Sequence, residues 1–398
     1  GSAPRGNSTI VIRDGKVAEV RDGFSAPEAG ATVIDLKDKF VLPGLIDMHV
    51  HLLGIGGDPM RARLTALNTE LADDILYGAG NARATLMAGF TTVRDLGADP
   101  RGIRALRDAV DRGDVEGPTI VNAGAPISVT GGHGDPLNGL AEPFAHAVAE
   151  TVENTCDGPA DCTRATRRQV GLGAQVIKIT ATGGVLSNVS GGLGRAFTIE
   201  EMKAIVDTAH GLGRKVAAHS HAADGTKGAL TAGVDSIEHG SFLDDEAIAL
   251  LKRTGGYLVP TELAPVAALA QARAGALPPA TIPKAEAAAA AMVESHRKAY
   301  RAGVKFAFGT DTGVSKHGRN AEEFALLVEK IGMTPAEAIR TATVAAADLL
   351  GQTAKLGTLE PGKDADIIAI SGSPLEDVRR LERVEFVMKD GKVAKGPG

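Results

Sequence analysis

Along most of this chain, short apolar runs rich in Val and Ile alternate with longer stretches whose apolar residues recur at helical spacing. The runs are Phe40–Leu45 leading to His51, Thr91–Arg94, Thr119–Asn122, Val176–Ile179, Lys215–Ser220, Ser236–His239, Tyr257–Pro260 and Lys305–Gly309. The helical stretches are Ile103–Arg112, Ala145–Leu172, Ile199–Leu212, Ala223–Ala232, Asp244–Arg253, Ala285–Ala302 and Ala321–Ile331. Short β-branched runs without polar alternation are the mark of strands buried on both faces of a parallel sheet. Eight of them alternating with helices predict an α/β fold, a (β/α)8 TIM-type barrel. Aromatic residues make up only 3% and Trp is absent, so the core has to be built from Ala, Val, Leu and Ile.

The two ends differ from the middle. Residues 8–39 read as short strands with hairpin turns at Asp14-Gly15 and Asp22-Gly23, and residues 357–398 do the same with turns at Pro361-Gly362 and Asp390-Gly391. Neither end holds enough strands for a domain of its own. The expectation is one small β-sandwich built from residues 1–42 and 357–398 and a barrel spanning 43–356.

Composition narrows the function classes. A net charge of -6 and the absence of any run of about 18 apolar residues argue against nucleic acid or membrane as the main partner. Gly1-Ser2 stands in place of an initiator Met and reads as a cloning scar, which leaves room for a removed upstream signal segment. The two cysteines, Cys156 and Cys162, bracket a short polar segment, CDGPADC. Either they form a disulfide, which favours an exported or periplasmic protein, or they are two reduced thiols of a cytoplasmic one.

Chemistry-bearing residues cluster at the predicted strand ends. His49 and His51 lie two apart in VLPGLIDMHVHL, and residues two apart in a strand point to the same side. His219 and His221 share a face in VAAHSHA, His239 ends SIEHG, and Asp311 ends FAFGTDTG. Imidazole with carboxylate is a ligand set suited to zinc, with Mn, Co or Fe also possible. Lys178 sits inside the apolar strand VIKIT. Its alternatives are a head group that snorkels to water or a buried amine of lowered pKa. A neutral amine reacts with carbon dioxide to give a carbamate, an anion able to bridge two cations. No serine stands at a nucleophile elbow, which argues against serine chemistry.

The order HVH, VIKIT, AAHSH, SIEHG and GTD resembles the amidohydrolase superfamily. The phrases TTVRDLG, GGHGD, ATGGVLS, HGRNAEEF, MTPAEAIRTAT and LGTLEPGKDADI are similar to its imidazolonepropionase/prolidase-like branch, with zinc dipeptidases and ochratoxinase-type amidases. The resemblance implies two divalent metal ions, zinc for preference. His49, His51 and Asp311 would hold one, His219 and His239 the other, with carboxylated Lys178 between them. His219 and His221 compete for one ligand position; His219 is taken as the ligand and His221 as a substrate contact. The usual first β-strand of the family looks shortened or missing.

The resemblance implies an amide or peptide hydrolase that releases a C-terminal amino acid from a dipeptide, an Xaa-Pro substrate or an N-acyl amino acid such as ochratoxin A, by a metal-bridged hydroxide. Asp311 would move the proton and His133 or His221 would stabilise the oxyanion. Arg94 and His317 are further candidates for substrate contact. Gly183-Gly184 reads as framing the pocket, and His146, His210 and His296 as surface or packing residues. Two rivals remain: hydrolysis of a cyclic amide, lactone or phosphotriester, and a barrel without catalysis that serves in assembly. By resemblance the barrel assembles into a homo-oligomer of even subunit number.

Overall fold

A computed structural model describes residues 4–54, 68–138, 140–184, 192–275 and 282–396, the side chain of residue 284 excepted. Gly1, Ser2 and residues 185–187 of the ATGGVLS segment lie outside the described residues. Fourteen strands appear among these residues. Near the N-terminus, β1 (Ser8–Arg13) and β2 (Lys16–Asp22) form a hairpin, followed by β3 (Lys39–Pro43). Eight strands of the middle region are β4 (Leu45–Val50), β5 (Phe90–Asp95), β6 (Thr119–Asn122), β7 (Val176–Thr180), β8 (Lys215–Ala222), β9 (Ser236–Phe242), β10 (Tyr257–Val259) and β11 (Lys305–Phe306). The last three are β12 (Ile367–Ser371), β13 (Phe386–Lys389) and β14 (Lys392–Lys395).

The eight middle strands form two parallel sheets in chain order, β4-β5-β6 and β7-β8-β9-β10-β11. Two sets of backbone bonds join them. Past β6, Ile127 donates to the Lys178 carbonyl and accepts from the Thr180 amide. Past β11, Met48 donates to Phe308, Asp311 to His49 and His51 to Thr312. Every residue of β4, β5 and β7 is buried, as parallel strands covered by helices require. The helices that follow the strands include Leu71–Met87, Pro100–Arg112, Pro159–Gly171, Ile199–Gly211, Ala223–Ala232, Asp245–Thr254, Leu263–Arg273 and Ile282–Arg301. None among the described residues is long and apolar enough to cross a membrane.

Three sequence expectations are corrected. The run Phe40–Leu45 is not one strand: it breaks at Gly44, where β3 leaves one sheet and β4 enters another. A Cβ at Gly44 would stand 2.1 Å from Thr91 Oγ1, so only glycine passes between the two layers. The stretch Ala145–Leu172 is not one helix: helix Glu142–Val148 ends before Gly158, whose φ of 83° precedes the helix that starts at Pro159. Helices Leu71–Met87 and Leu263–Arg273 went unread, because Ala- and Gly-rich helices carry little periodic contrast.

Strands from near the two chain ends share a sheet. Strand β3 pairs with β12 in the antiparallel sheet β14-β13-β12-β3, so residues from both ends share one ladder. Both hairpins turn on Asp-Gly pairs in the left-handed region, Asp14 and Gly15 at φ 51° and 75°, Asp390 and Gly391 at 49° and 74°. Val17 of the hairpin packs with Ala365, Ile367, Ala369, Phe386 and Met388 in one cluster, so the two antiparallel sheets share a core. Cys156 and Cys162 form a disulfide, and both are buried rather than set in a polar loop.

Candidate active site

Every histidine and carboxylate offered by the predicted strand ends arrives at one place, beyond the C-terminal ends of the parallel strands. His49 lies in β4 and His51 one residue past it, with ring centroids 5.4 Å apart. Asp311, after β11, brings Oδ1 to 3.1 Å from His51 Nε2 and 3.5 Å from His49 Nε2. From the other sheet come His219 and His221 in β8 and His239 in β9, with centroids 4.6 to 5.0 Å apart. Lys178 in β7 lines the same cavity, its Nζ 3.4 Å from His49 Nε2. His133, from the loop after β6, stacks on His219 at 4.4 Å.

The rings are oriented from behind. Nδ1 of His49 faces Glu238 Oε2 at 2.9 Å, and Nδ1 of His51 faces the Gly97 carbonyl at 2.8 Å. Nδ1 of His221 faces Ser241 Oγ at 2.8 Å, and that of His239 faces Thr261 Oγ1 at 2.7 Å. Partners of this kind fix the ring and leave Nε2 to the cavity. Nε2 of His219 is buried with no partner. Ligand atoms of His219, His221 and His239 lie within 4.8 Å of one another, and so do those of His49, His51 and Asp311. The donor set, its spacing and the orphaned nitrogen fit divalent cations of the borderline class. His221 joins the same donor group as His219, so the geometry does not separate the two as the sequence reading does.

Burial sets the charges. It brings Lys178 down to about 8, against the pull of Glu238 and Asp311. It takes His49 and His133 to about 4 and His221 to about 3, so these rings are neutral at pH 7. For Asp311 burial acts upward, yet the neighbouring His49, His51 and His239 rings, with the hydrogen bond from His51, hold its carboxyl well below the usual range. His239, Thr261 and Asp311 all adopt positive φ, at 70°, 53° and 55°. Three non-glycine residues in that region at one site mark backbone held against its preference.

Two candidates for substrate contact turn out otherwise. Arg94 is buried, with Nε donating to the Met48 carbonyl, Nη1 to Ser236 Oγ and Nη2 to Glu238 Oε1 at 2.8 Å. It does not line the cavity; it holds Glu238, which holds His49. His317 also stands outside the lining, with Nδ1 3.1 Å from Thr85 Oγ1 and Nε2 3.1 Å from the His51 carbonyl. His296 is not a surface or simple packing residue. It is fully buried in Ile282–Arg301, with Nδ1 2.7 Å from Glu262 Oε1 and Nε2 close to the His239 carbonyl.

The sequence reading also passed over Asp47, Glu238 and Glu262. Asp47 accepts from the His49 and Thr310 amides, Thr310 Oγ1 and Asn320 Nδ2, tying β4 to the segment after β11. A signal was present for two of them: an acid within the apolar runs LIDMHV and SIEHG is costly unless something pairs with it.

The cavity measures about 570 Å³. Its lining carries the histidines, Lys178 and Asp311 together with Ala264, Ala268, Ala285, Ala288, Ala289 and Met292. Gly184 belongs to the lining, as expected: a Cβ there would meet His133 Cε1 at 2.4 Å.

The Amidohydrolase family model matches residues 40–395. Ochratoxinase of Aspergillus niger is 34% identical over 99% of this chain and 84% of that protein. Imidazolonepropionase of Nocardia farcinica is 27% identical over 92% of this chain and 86% of its own length. A solved Xaa-Pro dipeptidase structure with methionine bound in its active site superposes with a TM-score of 0.90 at 41% identity, covering 97% of this chain and 94% of that one. Likeness at that level implies a TIM-barrel fold.

Proposed function

This chain belongs to the amidohydrolase family, and from that premise we propose that it is a binuclear metal-dependent hydrolase that cleaves an amide bond and releases a C-terminal amino acid. The observation that carries the reading is the pair of three-residue donor groups in one cavity that Lys178 also lines. His49, His51 and Asp311 would hold one divalent ion, and His219 and His239 the other, with His221 beside them. Lys178, its amine pushed toward neutrality by burial, would bridge as its carbamate. Zinc is the metal proposed. Bound divalent ions in such a site lower the pKa of water from 15.7 toward neutrality and polarise a carbonyl.

The chain's own residues do the rest. Asp311 Oδ1 takes a proton from the attacking water and returns it to the leaving amine; held well below the usual carboxylate range, it keeps that proton only briefly. His133 and His221, neutral and facing the cavity, donate to the oxygen of the tetrahedral intermediate. Walls of buried apolar side chains exclude water from the reacting carbonyl. Residues 43–356 are taken as a closed (β/α)8 barrel, and 1–42 with 357–398 as a small β-sandwich beside it. Substrate is a small molecule, with no nucleic-acid or membrane partner. The Cys156–Cys162 disulfide supports an oxidising compartment, periplasmic or extracellular.

The test is product detection by mass spectrometry over Xaa-Pro and hydrophobic dipeptides, N-acyl amino acids, lactones and a phosphotriester. Release of a C-terminal amino acid that chelator abolishes and zinc restores is expected, with loss of turnover in Lys178→Ala. Turnover that survives both treatments overturns the reading, and turnover of lactones or phosphotriesters alone moves it to another bond.

A further inference from the structure

We propose that the segment HGRNAEEF, His317 to Phe324, is a brace for the metal centre, in which His317, Asn320 and Glu323 are positioning residues that hold three of the proposed ligands from outside the cavity. The inference rests on the metal-hydrolase reading and deepens it. These three side chains recur at every third residue, and none of them lines the cavity. Asn320 and Glu323 are fully buried, while Gly318 and Arg319 are exposed.

Each of the three reaches a different ligand. His51 lies one residue past β4, with its amide donating to the Thr312 carbonyl. Its own carbonyl accepts from the Gly54 amide and from His317 Nε2, each at 3.1 Å. A carbonyl can only accept, so Nε2 carries the proton, and a neutral ring then accepts at Nδ1 from the Thr85 hydroxyl 3.1 Å away. His317 thereby ties His51 to helix Leu71–Met87. Asn320 Nδ2 donates to Asp47 Oδ2 at 2.8 Å, and Asp47 Oδ1 accepts the His49 amide at 3.1 Å. Glu323 accepts the Glu262 and Leu263 amides at 2.9 and 2.7 Å; these open helix Leu263–Arg273 and have no partner within it. The residue before them is Thr261, at φ 53°, whose Oγ1 stands 2.7 Å from His239 Nδ1. A ligand held in this way has its donor atom in place before a cation arrives, and outer partners of this kind typically carry about 10–100-fold in metal affinity.

Competitive zinc titration of the purified protein reads the brace without reference to turnover. His317→Ala is expected to weaken one bound zinc about 10–100-fold, and His317→Gln, which keeps an N–H donor, to recover most of that affinity. In a His51→Ala background, where the held ligand is already gone, His317→Ala should cause no further loss from the zinc that remains. Glu323→Gln should still weaken that zinc in the same background, because it acts through His239. Equal losses from His317→Ala with and without His51, or no loss in either, overturn the inference. If His317→Ala does not fold, His317→Gln and Thr85→Val, which removes the outer anchor of the ring, carry the same comparison. A parent that binds no zinc overturns the metal reading and this inference with it. A parent that binds two zinc ions and is indifferent to every variant overturns this inference alone.

Discussion

Both ring nitrogens of His296 lie against buried oxygens, Glu262 Oε1 and the carbonyl of His239. The other oxygen of Glu262 is buried without a partner. His239 itself sits at φ 70°, a conformation that needs outside support. Removing the imidazole leaves these buried oxygens without their hydrogen-bond partner, which typically costs about 1–3 kcal/mol. Accordingly His296→Phe should fall by about that amount in chemical denaturation and retain less zinc by elemental analysis, while His296→Phe with Glu262→Gln recovers much of the loss. A cost below about 1 kcal/mol for the single variant would show the pair to be dispensable.

Asp366 illustrates a buried carboxyl with the opposite economy. Burial, helped by the nearby Asp390 charge, lifts it to about 6, against the amide hydrogen bond from Asp390. A folded-state value above the unfolded one means that ionisation costs the folded state. The penalty is absent below about pH 4, grows as pH rises toward 6, and is constant above. At 1.36 kcal/mol per unit its ceiling is about 3 kcal/mol. Asp366→Asn, which keeps an acceptor and removes the charge, should therefore gain stability relative to the parent between pH 4 and 7. A difference that stays flat across that range in urea titrations would refute the assignment.

Among elements, the loop that carries His133 is held by a neighbouring segment as well as by its own hydrogen bonds. Ser128 pairs with Thr155, and Cys156 donates to the Ser128 carbonyl. Asn154 Nδ2 reaches the carbonyls of Pro126 and Gly134, and Thr130 binds the Asp157 carboxylate. The disulfide closes this template onto helix Pro159–Gly171. Replacing both cysteines with serine should cost about 2 kcal/mol through loop-closure entropy. It should also lower kcat more than zinc content, because His133 is loosened while the ligand strands are untouched. Equal loss of zinc and kcat would mean that the segment supports the whole site instead.

At the scale of the molecule, both ends of the chain are structural partners. Strand β12 is held on one side by β3 and on the other by β13, so the first forty residues and the last thirty close one ladder. A chain ending at Arg383 loses β13 and β14, leaves the edge of β12 open and uncovers Val17, Ala365 and Ile367. Such a truncation should aggregate or unfold well below the parent in thermal melts; a soluble, cooperative truncated protein would show the barrel to be independent of its neighbour. The even-numbered homo-oligomer proposed for the native protein is tested by native mass measurement, where a monomer at micromolar concentration would remove it.

The linear order of residues was enough for the strand–helix alternation and for seeing that His49, His51, Lys178, His219, His221, His239 and Asp311 fall in or just past strands. Those signals are local: a period, a turn pair such as Asp390-Gly391, or a polar residue in an apolar run. What tertiary structure decided is which polar groups face the cavity and which face each other. Arg94 and Glu238 lie 144 positions apart, and His296 reaches a carbonyl 57 positions away. No periodicity carries such pairings, because they follow from how strands stack side by side and how helices cover them. The alanine lining is of the same kind, since an alanine on a helix reads alike whether it packs on a strand or borders a cavity, and only the fold brings it to the same cavity as the histidines.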